Sequence, residues 1–212
     1  MNSIKVKLCG MTRECDIAYA NEAQPDYAGF VFAGTKRKIS RDMAVRFRKK
    51  LSDKIKAVGV FVDEDITVVS DMLNEGIINI AQLHGSEDND YILKLKRMTG
   101  CEVIKAVRVA AKEDITRVHK LEADYLLFDA YIEGTYGGTG ETFRWDIVDS
   151  AYRAIQMEEQ KPFFLAGGIH AENVCSAAAL SPYGIDISTG IETGGYKDRD
   201  KMIDIVRRIR DV

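Results

Sequence analysis

The sequence has few prolines, histidines and cysteines, and these low counts exclude several kinds of protein. Only three prolines, three histidines and four cysteines occur among 212 residues, so a metal site built on histidine and cysteine is not expected. The cysteines are far apart and form no CxxC pair, which also argues against a disulfide framework. They are Cys9, Cys15, Cys101 and Cys175. We therefore expect reduced thiols and a cytoplasmic location.

The sequence also lacks a marked excess of one charge and a long apolar run. The net charge is −3, which gives no general attraction for nucleic acid or for a membrane surface. No apolar stretch approaches the roughly 20 residues that span a bilayer. Residues 1–4 enter a strand pattern at once and show no signal-peptide pattern. We expect a small molecule as the partner, and a monomer, with a homodimer as the alternative.

The sequence does contain a regular alternation of short apolar strands and longer amphipathic helices. The predicted strands lie near 4–9, 27–32, 57–62, 78–83, 102–107, 124–129, 163–167 and 184–188. The predicted helices lie near 13–23, 40–51, 65–75, 87–98, 112–121, 144–156, 171–180 and 198–210. Ser40 and Ser86 are expected to begin two of these helices, since acidic residues follow each of them.

Eight strand–helix units in a chain of this length predict a single-domain (β/α)₈ TIM barrel over residues 1–212. An open, doubly wound sheet is the alternative architecture. Against it, no GxGxxG motif opens a helix after the first strand. The barrel also predicts where chemistry occurs, because barrel active sites are built at the carboxyl ends of the strands.

Strand parity predicts which side chains point into the barrel, since the helix-facing positions should be apolar. The predicted inward set is Lys5, Lys7, Cys9, Gln82, His84, Lys105, Asp129, Asp186 and Ser188. Unpaired polar groups inside a barrel are costly, so we expect Lys7, Lys105 and Asp186 to neutralise one another. The carboxyl ends of the strands carry Cys9, His84, Asp129 and Ser188.

A thiol and a carboxyl at one barrel mouth suit proton transfer between two positions of a substrate. Cys9 ends the first strand, in "IKVKLCGMT", and a cation such as Lys7 would favour its thiolate. Asp129 ends the apolar strand "YLLFD", where burial would keep it protonated as a general acid. The alternatives are a buried structural thiol for Cys9 and a helix cap or salt bridge for Asp129.

Two glycine-containing turns indicate a phosphate site. "LAGGIH" places Gly167 and Gly168 after the seventh strand and before a helix, and "DISTGIE" places Ser188, Thr189 and Gly190 after the eighth. Glycines let backbone N–H groups approach an anion, and a helix N-terminus adds partial positive charge. Barrel enzymes often hold phosphate in these two loops, although the glycines could also serve only to make tight turns.

Two further loops are candidates for contact with a substrate. "EGTYGGTGETFRW" (133–145), which contains Gly140, is either a lid or a second wall of the phosphate site, and a plain connector is the alternative. "AGTKRKIS" (33–40) contains Arg37, which could bind a carboxylate bidentately at the barrel mouth. A charge run of this kind is otherwise only solvated.

Taken in order, these motifs resemble the phosphoribosylanthranilate isomerases of tryptophan biosynthesis. The matching segments are "VKLCGMT", "GFVF" with "TKRKIS", "VGVFVDE", "AQLHG", "LLFDA" with "YGGTGETFRW", "LAGGI" with "ENV", and "DISTGIE". The resemblance implies an Amadori rearrangement, an aldose–ketose isomerisation of a phosphosugar that needs no metal and no redox cofactor. It also implies that Cys9 is the base, that Asp129 is the acid and that Arg37 holds the anthranilate carboxylate.

The sequence departs from the family pattern at several positions. Thr189 replaces a common second serine, Lys38 replaces a common aromatic residue, and "ETGGYKDRDK" (192–201) has glycines where a proline is common, which predicts a looser loop. His84 matches a family histidine and is expected either to contact the substrate or to make a structural hydrogen bond.

Two other functions remain alternatives. One is the histidine-pathway phosphoribosyl isomerase, which runs the same chemistry but has an aspartate where this chain has Cys9. The other is a non-catalytic protein, either a phosphosugar-binding barrel or a redox sensor that uses Cys9 and Cys15.

Overall fold

Eight parallel strands close into a barrel in the computed structural model of this chain. The structure describes residues 3–34, 36–118, 120–129, 145–155 and 160–212. Each strand pairs with the next along the chain, and β8 pairs with β1 to close the ring. The strands are Lys5–Cys9 (β1), Tyr27–Val31 (β2), Lys56–Phe61 (β3), Ile80–Leu83 (β4), Val103–Arg108 (β5), Tyr125–Asp129 (β6), Phe163–Ala166 (β7) and Gly184–Ile187 (β8).

Helices alternate with these strands along the chain. They are Glu14–Ala23 (α1), Arg41–Lys50 (α2), Ile66–Asn74 (α3), Asn89–Thr99 (α4), Lys112–Val118 (α5), Trp145–Arg153 (α6), Val174–Ala179 (α7) and Arg199–Arg210 (α8). The predicted (β/α)₈ barrel is confirmed, because β1 and β8 pair with each other, whereas in an open sheet they would not. The predicted element bounds agree with these to within a few residues.

Side-chain caps account for where two of the helices begin. Ser40 precedes α2 and its Oγ accepts a hydrogen bond from the Met43 N–H at 3.2 Å, as the sequence predicts. The prediction for Ser86 is wrong, because α4 starts later, after Asp88, whose Oδ1 accepts from the Tyr91 N–H at 2.9 Å. Ser86 instead donates its N–H and hydroxyl to Asp63, in the loop after β3.

Two apolar layers stabilise the barrel. One set of strand side chains fills the interior, with ring contacts such as that between Tyr27 and Phe164, whose centroids lie 5.4 Å apart. The interior set is Tyr27, Val58, Ile80, Ile104, Ala106, Leu127, Phe164 and Ala166. The alternate positions pack against the helices in a larger cluster. The strands are therefore buried on both faces, as parallel strands usually are.

Lys105 points to the helix-facing side, so its predicted inward position is wrong. Its neighbours Ile104 and Ala106 belong to the barrel interior, and Lys105 itself lies in register with Leu83 of the outer layer. The Nζ of Lys105 is buried 2.7 Å from Glu87 and 2.6 Å from the Gly85 carbonyl oxygen. Lys105 therefore does not pair with Asp186, because a helix-side carboxylate already matches its charge.

The segment after β8 forms a short hairpin rather than the expected loose loop. The strands Glu192–Thr193 (β9) and Tyr196–Lys197 (β10) pair antiparallel. Gly194 and Gly195 join them with φ of 60° and 83°, the positive values that a tight two-residue hairpin turn requires. The two glycines thus fix this turn. Within the residues that the structure describes, no helix has the length and apolar character needed to cross a membrane.

Candidate active site

Four of the predicted site residues lie at one mouth of the barrel. Cys9 is the last residue of β1 and Asp129 is the last of β6, while His84 and Ser188 directly follow β4 and β8. The carboxyl ends of parallel strands lie on the same rim. Asp129 lies two residues from the interior residue Leu127, so it has the inward parity. The sequence therefore predicts the end of the barrel at which these four side chains lie.

Cys9 is a buried thiol with a cation beneath it. Its side chain is 7% exposed and lies against Gly29 of β2, where an added Cβ would be only 2.5 Å from the Cys9 Sγ. Burial raises the pKa of the Cys9 thiol above its ordinary value, although the charge of Lys7 acts in the opposite direction. The predicted cation next to the thiol is thus present, and it opposes the effect of burial.

Lys7 is also tied to Asp186 on the neighbouring strand. The two residues are in register, and the Lys7 Nζ lies 2.9 Å from Oδ1 of Asp186. Burial disfavours the ammonium, but the attraction of Asp186 and Cys9 outweighs it and raises the pKa of Lys7. Lys7 and Asp186 therefore form a buried ion pair, as predicted, but without Lys105.

His84 connects this ion pair electrostatically with Asp129. Burial lowers the pKa of His84, although the nearby carboxylates of Asp129 and Asp186 favour its charged form. The imidazole is therefore neutral near pH 7. Since Lys7 and Asp186 also act on Cys9, the two candidate catalytic groups border one continuous cluster of polar side chains.

The two predicted phosphate turns pack directly against each other. Gly167 and Gly168 have φ of 95° and 61°, a conformation that suits glycine. Gly190 follows β8, and a Cβ added there would lie 2.0 Å from the carbonyl oxygen of Ile169. The absence of a side chain at Gly190 thus allows the two backbones to approach closely.

The helix expected to follow the Gly167–Gly168 turn begins later than predicted, at Val174. The Asn173 side chain instead organises the intervening loop: its Nδ2 donates to the Gly168 carbonyl at 3.1 Å and its Oδ1 accepts from the His170 N–H at 2.8 Å. The helix terminus is therefore not adjacent to the glycines, and the backbone N–H groups of the described turns are candidate phosphate donors.

Ser188 and Thr189 occupy different positions in the second turn. Ser188 is half-buried, and its hydroxyl donates to the Cys9 carbonyl oxygen at 3.2 Å, which joins the turn to the end of β1. Thr189 is exposed and begins a short 3₁₀ helix, Thr189–Ile191. The replacement of a serine by a threonine thus falls at an exposed position.

Arg37 lies at the same mouth, paired with a carboxylate from the loop after β8. Its Nε and Nη2 donate to Glu192 at 2.7 and 3.0 Å. The Nζ of Lys197 donates to the same Glu192 at 2.8 Å. Burial opposes the charge of Glu192, but the bonds from Arg37 and Lys197 prevail and lower the pKa of Glu192 to about 2.

Sequence reasoning gave Glu192 and Lys197 no role. Lys197 stands in "YKDRDK", which has the pattern of a solvated surface, and nothing local marks it as buried. Glu192 ends the "DISTGIE" motif, in which the hydroxyls and the glycine are the residues that indicate a ligand site.

Three further predictions concern Gly140, the cysteines and a metal site. Gly140 lies outside the described residues. All four cysteines are free thiols, and the Cys15 Sγ lies 3.9 Å from Oδ1 of Asp16. Over the described residues, no group of three or more His, Cys, Asp and Glu side chains could hold a metal ion.

Comparison with protein families gives one clear match. Residues 6–208 match the model of the N-(5′-phosphoribosyl)anthranilate (PRA) isomerase family. Among curated proteins, the chain is 44% identical over 209 residues to the N-(5′-phosphoribosyl)anthranilate isomerase of Endomicrobium trichonymphae. That alignment covers 98% of this chain and 99% of the relative.

Solved structures agree with this match. A phosphoribosyl anthranilate isomerase in complex with reduced 1-(o-carboxyphenylamino)-1-deoxyribulose 5-phosphate superposes with a TM-score of 0.82 at 30% identity. The similarity covers 99% of this chain and all of that chain. A structure of monomers made from the dimeric Thermotoga maritima isomerase gives a TM-score of 0.83 at 31% identity, with the same coverage of both chains.

Proposed function

Because the chain belongs to the N-(5′-phosphoribosyl)anthranilate isomerase family, we propose that Cys9 and Asp129 are the base and the acid of the family's reaction. The reaction isomerises N-(5′-phosphoribosyl)anthranilate to 1-(2-carboxyphenylamino)-1-deoxyribulose 5-phosphate in tryptophan biosynthesis. It moves a proton from one carbon of the sugar and delivers another to oxygen. One acid and one base on opposite sides of a bound sugar are sufficient for this chemistry.

Asp129 acts first in this mechanism. Its carboxyl protonates the furanose ring oxygen, the C1′–O bond breaks, and the nitrogen lone pair forms an iminium. The position of Asp129 supports this role, since it ends β6 at the barrel mouth and lies partly buried next to the neutral His84.

Cys9 acts second. Its thiolate takes the proton from C2′, and the electron pair of that bond neutralises the iminium to give an enolamine, which tautomerises to the ketone. The observation that carries the proposal is the location of Cys9: it is a buried thiol at the end of β1, and the charge of the Lys7 ammonium acts on it. The thiolate is the basic form of a cysteine, and cations close to it favour that form.

The substrate carries a phosphate at one end and a carboxylate at the other. We assign the phosphate to the backbone of the Gly167–Gly168 and Ser188–Gly190 turns, which contact each other. Gly140 belongs to the same proposed phosphate site. We assign the carboxylate to Arg37, whose guanidinium has five N–H donors, of which Glu192 takes two. His84 is a further candidate for contact with the sugar.

Activity measurements on alanine variants test the two catalytic roles. Cys9→Ala and Asp129→Ala should each reduce kcat by about 10³-fold or more, since positioned general acids and bases contribute about 10²–10⁴-fold each. Loss of phosphoribosylanthranilate fluorescence measures the rate, and circular dichroism checks folding. Cys175→Ala removes an exposed thiol and should retain full activity. A folded Cys9 or Asp129 variant with nearly normal turnover would exclude the assigned role.

The same assay distinguishes the alternative functions. Folded, reduced protein that binds but does not convert phosphoribosylanthranilate would indicate a phosphosugar-binding barrel. Conversion of the histidine-pathway substrate as well would show a second activity. The family match and the thiol at the end of β1 favour the tryptophan-pathway reaction.

Three further features of the protein are proposals. We propose that residues 1–212 form one barrel domain, that the protein is cytoplasmic, as its free thiols suggest, and that it acts as a monomer. Among the described residues, the exposed large apolar side chains are Val62, Val68, Met98, Tyr196 and Val212. Light scattering at micromolar concentration tests the monomer against the homodimer.

A further inference from the structure

Lys197 is a buried lysine at the active-site mouth whose role the mechanism leaves open. Its side chain is 1% exposed, although it lies in a two-residue strand next to the exposed Tyr196. Its Nζ donates to the Ser188 carbonyl oxygen at 2.9 Å and to Oε1 of Glu192 at 2.8 Å. A buried ammonium is costly, so a lysine retained here, rather than an apolar residue, calls for a reason beyond packing.

The residue after Cys9 brings this ammonium close to the thiol. Gly10 has φ of 90°, and a Cβ added there would lie 2.5 Å from Cδ of Arg37 and 3.4 Å from Nζ of Lys197. Both cations therefore lie directly over the backbone of Gly10, in space that any other residue would fill. The charges of Lys197 and Arg37 both interact with the Cys9 thiol.

The backbone of Lys197 is held in place from the other side. The guanidinium of Arg13 donates to the Lys197 carbonyl oxygen at 2.8 Å and lies 4.7 Å from the ring centroid of Tyr196. Arg13 is itself bound by the fully buried Asp16 at the start of α1. The hairpin therefore presents the Lys197 ammonium from a fixed position.

The charges around Cys9 do not balance while it is a thiol. Three cations act on it or on its partners, namely Lys7, Arg37 and Lys197, and two carboxylates pair with them, Asp186 and Glu192. Asp186 matches Lys7, whereas Glu192 alone faces both Arg37 and Lys197. Among these five described groups one positive charge is left over, and a thiolate at Cys9 would neutralise it.

We propose that Lys197 is a positioning residue that acts through Cys9. From the hairpin that follows β8, it supplies positive charge that favours the thiolate. Lys7 acts on Cys9 from the barrel interior, but Asp186 already neutralises the charge of Lys7. The importance of this for catalysis rests on the proposed role of Cys9 as the base. The ionisation of Cys9 itself can be measured without substrate.

Titration of the thiolate in the free protein tests the proposal. Thiolate absorbance near 240 nm is followed against pH, and the same titration of Cys9→Ser is subtracted to isolate Cys9. Lys197→Met should raise the pKa of Cys9 by about one pH unit, a roughly tenfold lower thiolate fraction, as expected for the loss of one nearby opposite charge. Lys54→Met makes the same charge change at an exposed position before β3, at the other end of the barrel, and should leave the titration unaltered.

Two further variants keep the test decisive if Lys197→Met does not fold. Lys197→Gln keeps a hydrogen-bond donor and should raise the pKa of Cys9 in the same way. Glu192→Gln removes the opposing carboxylate, so it should lower the pKa of Cys9. In active variants, the rising limb of the kcat/KM profile should move with the titration, so that higher pH rescues Lys197→Gln.

The outcomes separate this proposal from the proposed function. An unchanged Cys9 titration in a folded Lys197 variant, or a higher pKa in Glu192→Gln, would overturn the role of Lys197 even if Cys9 is the base. Full activity of Cys9→Ala would overturn the role of Cys9 and leave the titration result standing. An altered kcat with an unshifted pH profile would indicate a purely structural lysine and would also overturn the proposal.

Discussion

The ion pairs of Glu192 make a quantitative prediction about stability. Glu192→Gln removes the only carboxylate that, in the described structure, bonds both Arg37 and Lys197. The pKa of Glu192 falls from 4.5 to about 2 on folding. Converted at 1.36 kcal/mol per pH unit, that fall corresponds to about 3 kcal/mol, and screening at the partly exposed Arg37 reduces it to about 2 kcal/mol.

The sign of the pH dependence follows from the direction of the shift. A carboxylate whose pKa is lower in the folded state stabilises the protein above its unfolded pKa, and this stability is lost as pH falls toward the folded pKa. The difference in free energy of unfolding between wild type and Glu192→Gln should therefore be full above pH 5. It should shrink below about pH 4.5 and fall to less than half near pH 3.

Urea denaturation at pH 7, 5, 4 and 3 measures this difference, and contributions from other carboxylates cancel between the two proteins. Glu75→Gln is the matched control, because it breaks an arginine–glutamate pair at Arg41 in which both partners are about half exposed. Such a pair should contribute less than about 1 kcal/mol. A pH-independent difference, or one no larger than that of the control, would refute the assignment of Glu192 as a buried counter-ion.

Three shorter predictions follow from the same structure. Arg37→Ala should raise KM for phosphoribosylanthranilate with a smaller change in kcat, because it removes a binding contact, and steady-state kinetics with an unchanged KM would exclude Arg37 from the pocket. Lys105→Met should lower the free energy of unfolding by about 3–5 kcal/mol in urea, since it leaves the buried Glu87 carboxylate without a cation, and a loss below 1 kcal/mol would contradict this. Gly190→Ala should raise KM because its Cβ would meet the Ile169 carbonyl at 2.0 Å and separate the phosphate turns, and normal kinetics in a folded variant would count against that site.

The sequence predicts the barrel and its active end well because those features are local. In β1, apolar residues alternate with Lys5, Lys7 and Cys9, so the inward face can be identified from five residues. The same reasoning failed in β5, "VIKAVR", where apolar residues occur on both faces. Where the two faces are equally apolar, the alternation of residues does not identify the inward face. The helix-facing orientation of Lys105 is matched by its ion pair with Glu87, which lies in the loop between β4 and α4.

The features that sequence reasoning missed depend on contacts between distant segments. Lys197 stands in a charged stretch that is typical of a solvated helix start, and its burial arises only because the hairpin folds back over Gly10. The turn glycines Gly194 and Gly195 were interpreted as a source of flexibility, whereas their positive φ values fix a tight turn. In both cases the local sequence pattern is a common one, and contacts between distant segments determine the structure.

A crystal structure of this protein with reduced 1-(o-carboxyphenylamino)-1-deoxyribulose 5-phosphate tests the central claim most directly. We expect the sugar between Cys9 and Asp129, with the Cys9 Sγ and a carboxylate oxygen of Asp129 each within about 3–4 Å of the reacting atoms. The phosphate should lie at the Gly167–Gly168 and Ser188–Gly190 turns, and the carboxylate at Arg37. A ligand bound away from this mouth, or a Cys9 or Asp129 side chain that points away from the sugar, would contradict the account.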